Sequence, residues 1–442
     1  MTTTTHLIRS RRFLPLFATQ LLGAFNDNFY KNAMILFVVY SVYNSEAAEA
    51  RFSAIASALF ILPFFLLSAL SGQLADMRDK ARIIRIVKAA EIVIMLIGGV
   101  GLTLAFQGIM VHTLAIPVML AALLAMGVHS TFFGPIKYAI LPQHLEPNEV
   151  LAGTGLVEAG TYISILAGTI LAGWIPIEVA AVVVIVTALV GFLTAQYVPA
   201  APPLMEPQPL DWNIVRSSIT LVRMTTRHPR VILAIAAISF FWTIGAVLFI
   251  QFPPLAKNVL SASKEVASLF LVVFSIGVSI GSVSINRMLG GKVSARFGPA
   301  AVLVMGVFVV AFHLVCRMWP HAPGEALLSV SQFILQPLAA PLLLSLLGIA
   351  IAGGMFVVPL YAFLTTVVDK SETARTIAAN NIVNAGAMVV GSVIAIGLSA
   401  VGVDLADQLL LGAAMCIIAA WLGWLLYKAE QAHAGEIEHA FE

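Results

Sequence analysis

Charge is what this sequence lacks. Only 10% of its 442 residues are Asp, Glu, Lys or Arg, against about 25% in a soluble globular domain, while 60% are hydrophobic and mean hydropathy is +0.98. So few polar groups cannot cover a water-exposed chain of this size, which excludes a soluble enzyme, a nucleic-acid-binding protein and a disordered chain. Cysteine is nearly absent: Cys316 and Cys416 both lie in apolar context and suggest no disulfide framework. No paired Cys or His spacing suggests a metal site. No Gly-rich phosphate loop is followed by a Lys-Ser/Thr pair, which argues against direct ATP drive. Cofactor, metal and catalytic set are all expected to be missing, and the chain reads as a non-enzyme. Met1–Arg12 is short and basic, and the apolar run after it has no small-residue cleavage site. It reads as a retained span rather than a removed signal peptide.

What is present is long apolar runs. A transmembrane helix needs about 20 mostly apolar residues, whereas membrane barrels show short alternating segments. Twelve runs qualify, from Phe13–Val42 to Leu405–Tyr427. The expected fold class is an all-α membrane protein with twelve transmembrane helices in two six-helix, pseudo-symmetric halves. The expected domains are residues 1–198, a linker 199–230, residues 231–428 and a charged tail 429–442. The linker holds Pro199, Pro202, Pro203, Pro207 and Pro209, which forbid a continuous helix. Its stretch Asp211 to Thr226 fits an amphipathic surface helix. Eighteen of the 24 Lys and Arg residues fall in one set of alternate loops and four in the other. That bias predicts cytoplasmic termini and a cytoplasmic linker. Gly134-Pro135 is echoed by Val358-Pro359, and Leu156–Gly160 by Ile382–Gly386, at similar offsets. Two such repeats are expected of a secondary transporter.

The loop between spans two and three runs from Gly72 through Asp76, Arg78 and Lys80 to Arg82. It resembles the cytoplasmic signature of the major facilitator superfamily, with Met77 and Asp79 as departures. Gly72 permits close helix approach. Asp76 can take the positive end of a neighbouring helix or a nearby Arg, forming a cytoplasmic latch. Gly72, Asp76, Arg78 and Lys80 are therefore the gating candidates.

Span one contains Asn26, Asp27, Asn28, Lys31 and Asn32. A mid-span charge costs about 2.5–3.5 kcal/mol and is a functional candidate by default. Asp27 and Lys31, at i and i+4, can pair on one helix face. Lys88 and Glu91 lie near the start of span three, where Lys88 can snorkel to the interface. Glu158 in span five has no basic neighbour on its own helix, leaving Lys31 or Lys88 as cations, and Asp27 and Glu158 are the proton-coupling candidates. His129 in span four reads as a satisfied core histidine. Lys137 fits a positive-inside anchor, while Asn380, Asn381 and Asn384 place amides on span eleven.

Five segments, Phe25–Ala33 (FNDNFYKNA), Arg85–Ile92, His129–Leu145, Gly155–Gly168 and Gly353–Leu364, resemble the bacterial lysophospholipid transporter family of the major facilitator superfamily over nearly the whole chain. The nearest pattern is that of members fused to a 2-acylglycerophosphoethanolamine acyltransferase. The expectation here is a chain ending in a charged tail at Glu442, with any acyltransferase a separate partner. The resemblance implies alternating-access movement of lysophospholipid, such as lysophosphatidylethanolamine, from the outer to the inner leaflet of the bacterial cytoplasmic membrane. It places substrate contacts on Asn26, Asp27, Asn28, Lys31, Lys88, Glu158, Asn380 and Asn384. Thr243–Ile250 lacks the Arg that some members carry in span seven, which withdraws a headgroup contact there. Two other readings stand beside it: a drug or small-solute:proton carrier of the same superfamily, and a non-transporting scaffold that docks an acyltransferase. The partners expected are the lysophospholipid, membrane lipids and that acyltransferase, with no nucleic acid.

Overall fold

The computed structural model describes residues 3–43, 46–225, 227–320 and 327–440. The terminal residues 1–2 and 441–442 of the expected first bundle and tail lie outside these, as does the Arg51 side chain counted among the outer-loop cations. Among the described residues the regular structure is helical. Twelve long helices follow one another: α1 Leu14–Ser41, α2 Glu46–Met77, α3 Lys80–Phe106, α4 Ile116–Ala139, α5 Val150–Trp174 and α6 Ile177–Gln196, then α7 Pro229–Pro254, α8 Lys264–Met288, α9 Gly298–Met318, α10 Ala339–Thr366, α11 Thr373–Ala400 and α12 Leu405–Ala440. Eleven of them are long and apolar enough to cross a membrane. The remaining one, α1, has 28 residues but falls short in hydropathy because of the run Asn26–Asn32.

Local rules explain how α1 stays helical through that run. Pro15 sits in its first turn, where a missing N–H costs nothing. Asn28 and Asn32 turn their amides back onto the carbonyls of Ala24 (2.9 Å) and Asn28 (2.7 Å), so both are satisfied within the helix. In α3 the usual amphipathic pattern is inverted. Ile86, Val93, Ile97 and Val100 are exposed while Lys88 and Glu91 are buried, the arrangement expected when lipid is the solvent. Asp79 caps α3 by accepting from the Arg82 amide at 2.9 Å.

The chain forms two compact units. The first comprises Met1–Gly153, Gly160–Arg223 and Val368–Ile382, so it takes in α1–α4, α6, most of α5 and the start of α11. Its core is built on Phe29, Tyr30, Met95, Met119 and Met126, with the Tyr30 hydroxyl donating to the Met119 carbonyl at 2.9 Å. The second comprises Thr154–Ala159, Met224–Val367 and Val383–Glu442, with α7–α10, α12 and the rest of α11. An aromatic ladder of Phe249, Phe274, Phe252, Phe270, Phe312 and Phe333 runs through it in edge-to-face contacts.

The proline-rich stretch after α6 lies along the first unit. The Ala201 carbonyl accepts from the Lys80 amide (3.0 Å), and Val198 from Arg85 (2.9 Å). His144 bonds the Ala200 carbonyl at 3.3 Å, and burial pushes its pKa below the usual histidine value. The amphipathic segment forms a helix over Ile214–Thr225. Its inner face buries Ser217 and Leu221, with Gln73 donating to Ser217 at 2.6 Å, while Val215 and Ile219 are exposed. Just before it, the bond from Arg216 holds the Asp211 carboxyl below the usual carboxylate range.

Candidate functional site

The first unit gathers polar side chains from three helices. From α1, Asn26 donates to Glu91 Oε1 at 2.8 Å and to the Val184 carbonyl at 3.2 Å. Glu91 on α3 also pairs with Lys88 one turn earlier. His129 on α4 brings Nε2 to 3.1 Å from Glu91 Oε2, an ion-pair distance. Its other nitrogen, Nδ1, is 3.3 Å from Ser130 Oγ. Ser130 in turn donates to Asp27 Oδ2 at 2.6 Å. Lys88, Glu91, His129, Ser130 and Asp27 thus form one chain of contacts, and a mid-membrane helix has few other ways to carry such groups.

Two expectations change here. Asp27 and Lys31 do not pair: Asp27 bonds Ser130, and Lys31 stands over the Phe60 ring at 5.4 Å from its centroid. A hydroxyl from a facing helix reaches the carboxylate more directly than a lysine that must fold back along its own helix. Nor does Lys88 snorkel. It is fully buried, held by Glu91, and its stem passes where Gly191 leaves space; a Cβ at 191 would lie 2.9 Å from Lys88 Cε. The ion pair removes the need to seek water.

Asp27 and Lys31, freed from each other, remain opposite charges one helical turn apart, and both are only partly buried. Asp27 Oδ1 has no hydrogen-bond partner. Asn28 is occupied by its own helix. Lys137 stands over the Tyr138 ring at 4.9 Å and lies 3.4 Å from the Thr161 hydroxyl.

The latch residues divide. Asp76, buried at the end of α2, accepts from the backbone amides of Ala374 and Arg375 at 3.0 Å each, so it caps the first turn of α11. The Arg375 guanidinium adds a contact at 3.8 Å. Gly72 makes this approach possible, since a Cβ there would stand 2.7 Å from Ala378 Cβ and 3.1 Å from the Ala374 carbonyl. Lys80 is buried nearby, but Arg78 is exposed and bonds only the neighbouring Met77 carbonyl, so it takes no part in the cap.

Glu158 and Asn380 are both buried. Asn384 accepts from the Ser239 hydroxyl at 2.7 Å in the second unit. The residues that sequence reasoning undervalued are Glu91, His129 and Ser130. Glu91 and His129 are polar groups inside a span, the same signal that marked Asp27, while Ser130 carries no signal without the neighbouring helix.

Relatives point the same way as the fold. The lysophospholipid transporter LplT of Citrobacter koseri is 26% identical over 86% of this chain and 87% of its own length. That of Photorhabdus laumondii is 24% identical over 80% of each. Among solved structures, an outward-facing bacterial homologue of the iron transporter ferroportin superposes with a TM-score of 0.70 at 12% identity, covering 97% of this chain and 100% of that one. The proton:xylose symporter XylE gives 0.66 at 13% identity, covering 96% of each. The Major Facilitator Superfamily profile matches residues 16–348. With its two helical units and an α2–α11 cap at the family's signature loop, the chain belongs to the major facilitator superfamily, as a multi-pass membrane transporter of the LplT type.

Proposed function

We propose that this protein carries lysophospholipids, with lysophosphatidylethanolamine as the preferred substrate, from the outer to the inner leaflet of the bacterial cytoplasmic membrane by alternating access. The observation that carries the reading is the unpaired Asp27 and Lys31 on one face of α1. Opposite charges inside a membrane ordinarily neutralise each other. Here they are left about 5–6 Å apart at their Cβ atoms, a spacing suited to a headgroup that carries both signs. The ammonium of the substrate meets Asp27 and its phosphate meets Lys31. Asn26 and Lys88 act behind them by fixing Glu91, while Glu158, Asn380 and Asn384 are further candidate substrate contacts. The lysine and arginine bias sets the cytoplasmic side, and a separate acyltransferase would consume the delivered lysolipid.

Two halves, residues 1–198 and 231–428 joined by the linker, would alternate, with Asp76, Gly72 and Lys80 holding the cytoplasmic end of α2 against α11. The names of the curated relatives support the substrate class. The test is reconstitution into vesicles with labelled lysophosphatidylethanolamine. Transfer of the lysolipid but not of its diacyl form supports the reading. Proton-coupled uptake of a water-soluble solute with no lysolipid movement would favour the general carrier, and no transport of any kind would favour the scaffold.

A further inference from the structure

The contacts between α1, α3 and α4 fix more than packing, because hydrogens are scarce along them. Ser130 has one hydroxyl hydrogen and gives it to Asp27 Oδ2 at 2.6 Å. Its oxygen is then an acceptor towards His129 Nδ1, 3.3 Å away. On the far side of the ring, Nε2 faces a Glu91 carboxylate oxygen at 3.1 Å, where a lone pair would be repelled and an N–H is attracted. Two placements of the hydrogens fit the contacts from Asp27 Oδ2 through Ser130 to His129. In one, His129 carries hydrogens on both nitrogens and Asp27 is ionised. In the other, Asp27 holds a proton and donates to Ser130, Ser130 donates to Nδ1, and His129 keeps only the Nε2 hydrogen. They differ by the position of one proton.

The geometry points to a proton relay from His129 through Ser130 to Asp27, which sets the charge that the substrate ammonium meets. This rests on the lysophospholipid reading for its purpose, though not for its existence. The step is balanced within the protein: the His129 Nδ1–H bond breaks, Ser130 Oγ gains that hydrogen and passes its own to Asp27 Oδ2. No co-reactant is needed. An ionised Asp27 holds the ammonium, and a protonated Asp27 releases it. Glu91 stabilises the imidazolium, and Lys88 holds Glu91 in place. The charged groups around His129 are accounted for helix by helix. From α1 they are Asp27 and Lys31; from α3, Lys88 and Glu91; and α2 has no ionisable side chain between Phe52 and Ala75. His112, in the turn before α4, lies against Tyr43, and His144 beyond α4 bonds Ala200.

Two variants isolate the relay. His129→Asn keeps a hydrogen-bonding side chain but holds no relay proton, and Ser130→Ala removes only the bridge. In vesicles the parent's turnover should fall as pH rises, because loss of the relay proton leaves Asp27 ionised and an ionised Asp27 retains the ammonium. Each variant should lose about a hundredfold or more in turnover at the acid end, the range for assisted proton transfer. Lysolipid binding should be kept and the pH dependence abolished. Infrared difference spectra of the substrate-free protein give an independent readout: the protonated-carboxylate band that disappears in Asp27→Asn should titrate differently in both variants. Parent-like pH profiles and parent-like carboxylate titration in both variants would overturn the relay while leaving lysolipid transport standing. Absence of lysolipid transport in the parent would remove the functional reading, and the spectra would still decide the relay.

Discussion

Replacing Asp76 with alanine removes both acceptors from the first turn of α11. The Ala374 and Arg375 amides, each 3.0 Å from a carboxylate oxygen, then face a gap that water fills only if α2 and α11 part. Losing a helix cap costs about 0.5–2 kcal/mol, and hydrogen bonds to a charged group contribute about 1.5–3 kcal/mol each. The capped arrangement should therefore lose about 2–3 kcal/mol, which multiplies the separated population by about 30–150-fold. Asp76→Asn keeps one acceptor and should give about fivefold for about 1 kcal/mol. Ala378 is a suitable reporter, since it is fully buried beneath Gly72 in the capped structure. With the buried Cys316 and Cys416 replaced by alanine, the maleimide labelling rate of Ala378→Cys should rise by these factors. A rate within twofold of the parent in Asp76→Ala would refute the capping argument.

Three further outcomes follow from the same contacts. Lys88→Met takes from the buried Glu91 its lysine counter-charge, leaving only Asn26 and His129 beside it, and should lower stability by up to about 3–5 kcal/mol in a thermal melt of the purified protein; adding Glu91→Gln should recover most of the loss. Asp27→Asn should abolish most lysolipid transport while melting close to the parent, because no ion pair is broken; full transport by a well-expressed variant would remove Asp27 from the substrate path. In competition assays, changing the lysolipid headgroup should weaken binding more than shortening the tail by two carbons. The tail comes from bilayer rather than water and so does not gain the ~0.8 kcal/mol per methylene of a transfer from water, and a steep tail dependence with no headgroup dependence would count against the Asp27–Lys31 reading.

The helices were legible because a span leaves an unmistakable apolar run, and even α1, with its polar interior, is long enough to read. Asp76 was legible as a carboxylate that meets a helix start because its motif names the residue, though not the partner: Ala374 lies 298 residues later. The candidate cluster was legible only in part. Spacing along one helix made an Asp27–Lys31 pair look available, yet Ser130, on another helix, takes the carboxylate. Lys88 reads as an interfacial anchor until Gly191, on α6, is seen to leave room for it in the interior. Periodicity reports what a helix presents, and the choice among possible partners belongs to tertiary packing.

The bond between Ser130 and Asp27 also sets a schedule for biogenesis. Its partners are 103 residues apart, so at a synthesis rate of about 5–20 residues per second α1 waits about 5–20 s for the hydroxyl that completes its carboxylate. Glu91 has no such delay, because Lys88 precedes it on the same helix. Of the twelve long helices, α1 is thus the one least able to settle alone in lipid. In that interval Lys31, one turn along, is the counter-charge α1 itself supplies, and the arrival of α4 turns a marginal insertion into a fixed helix.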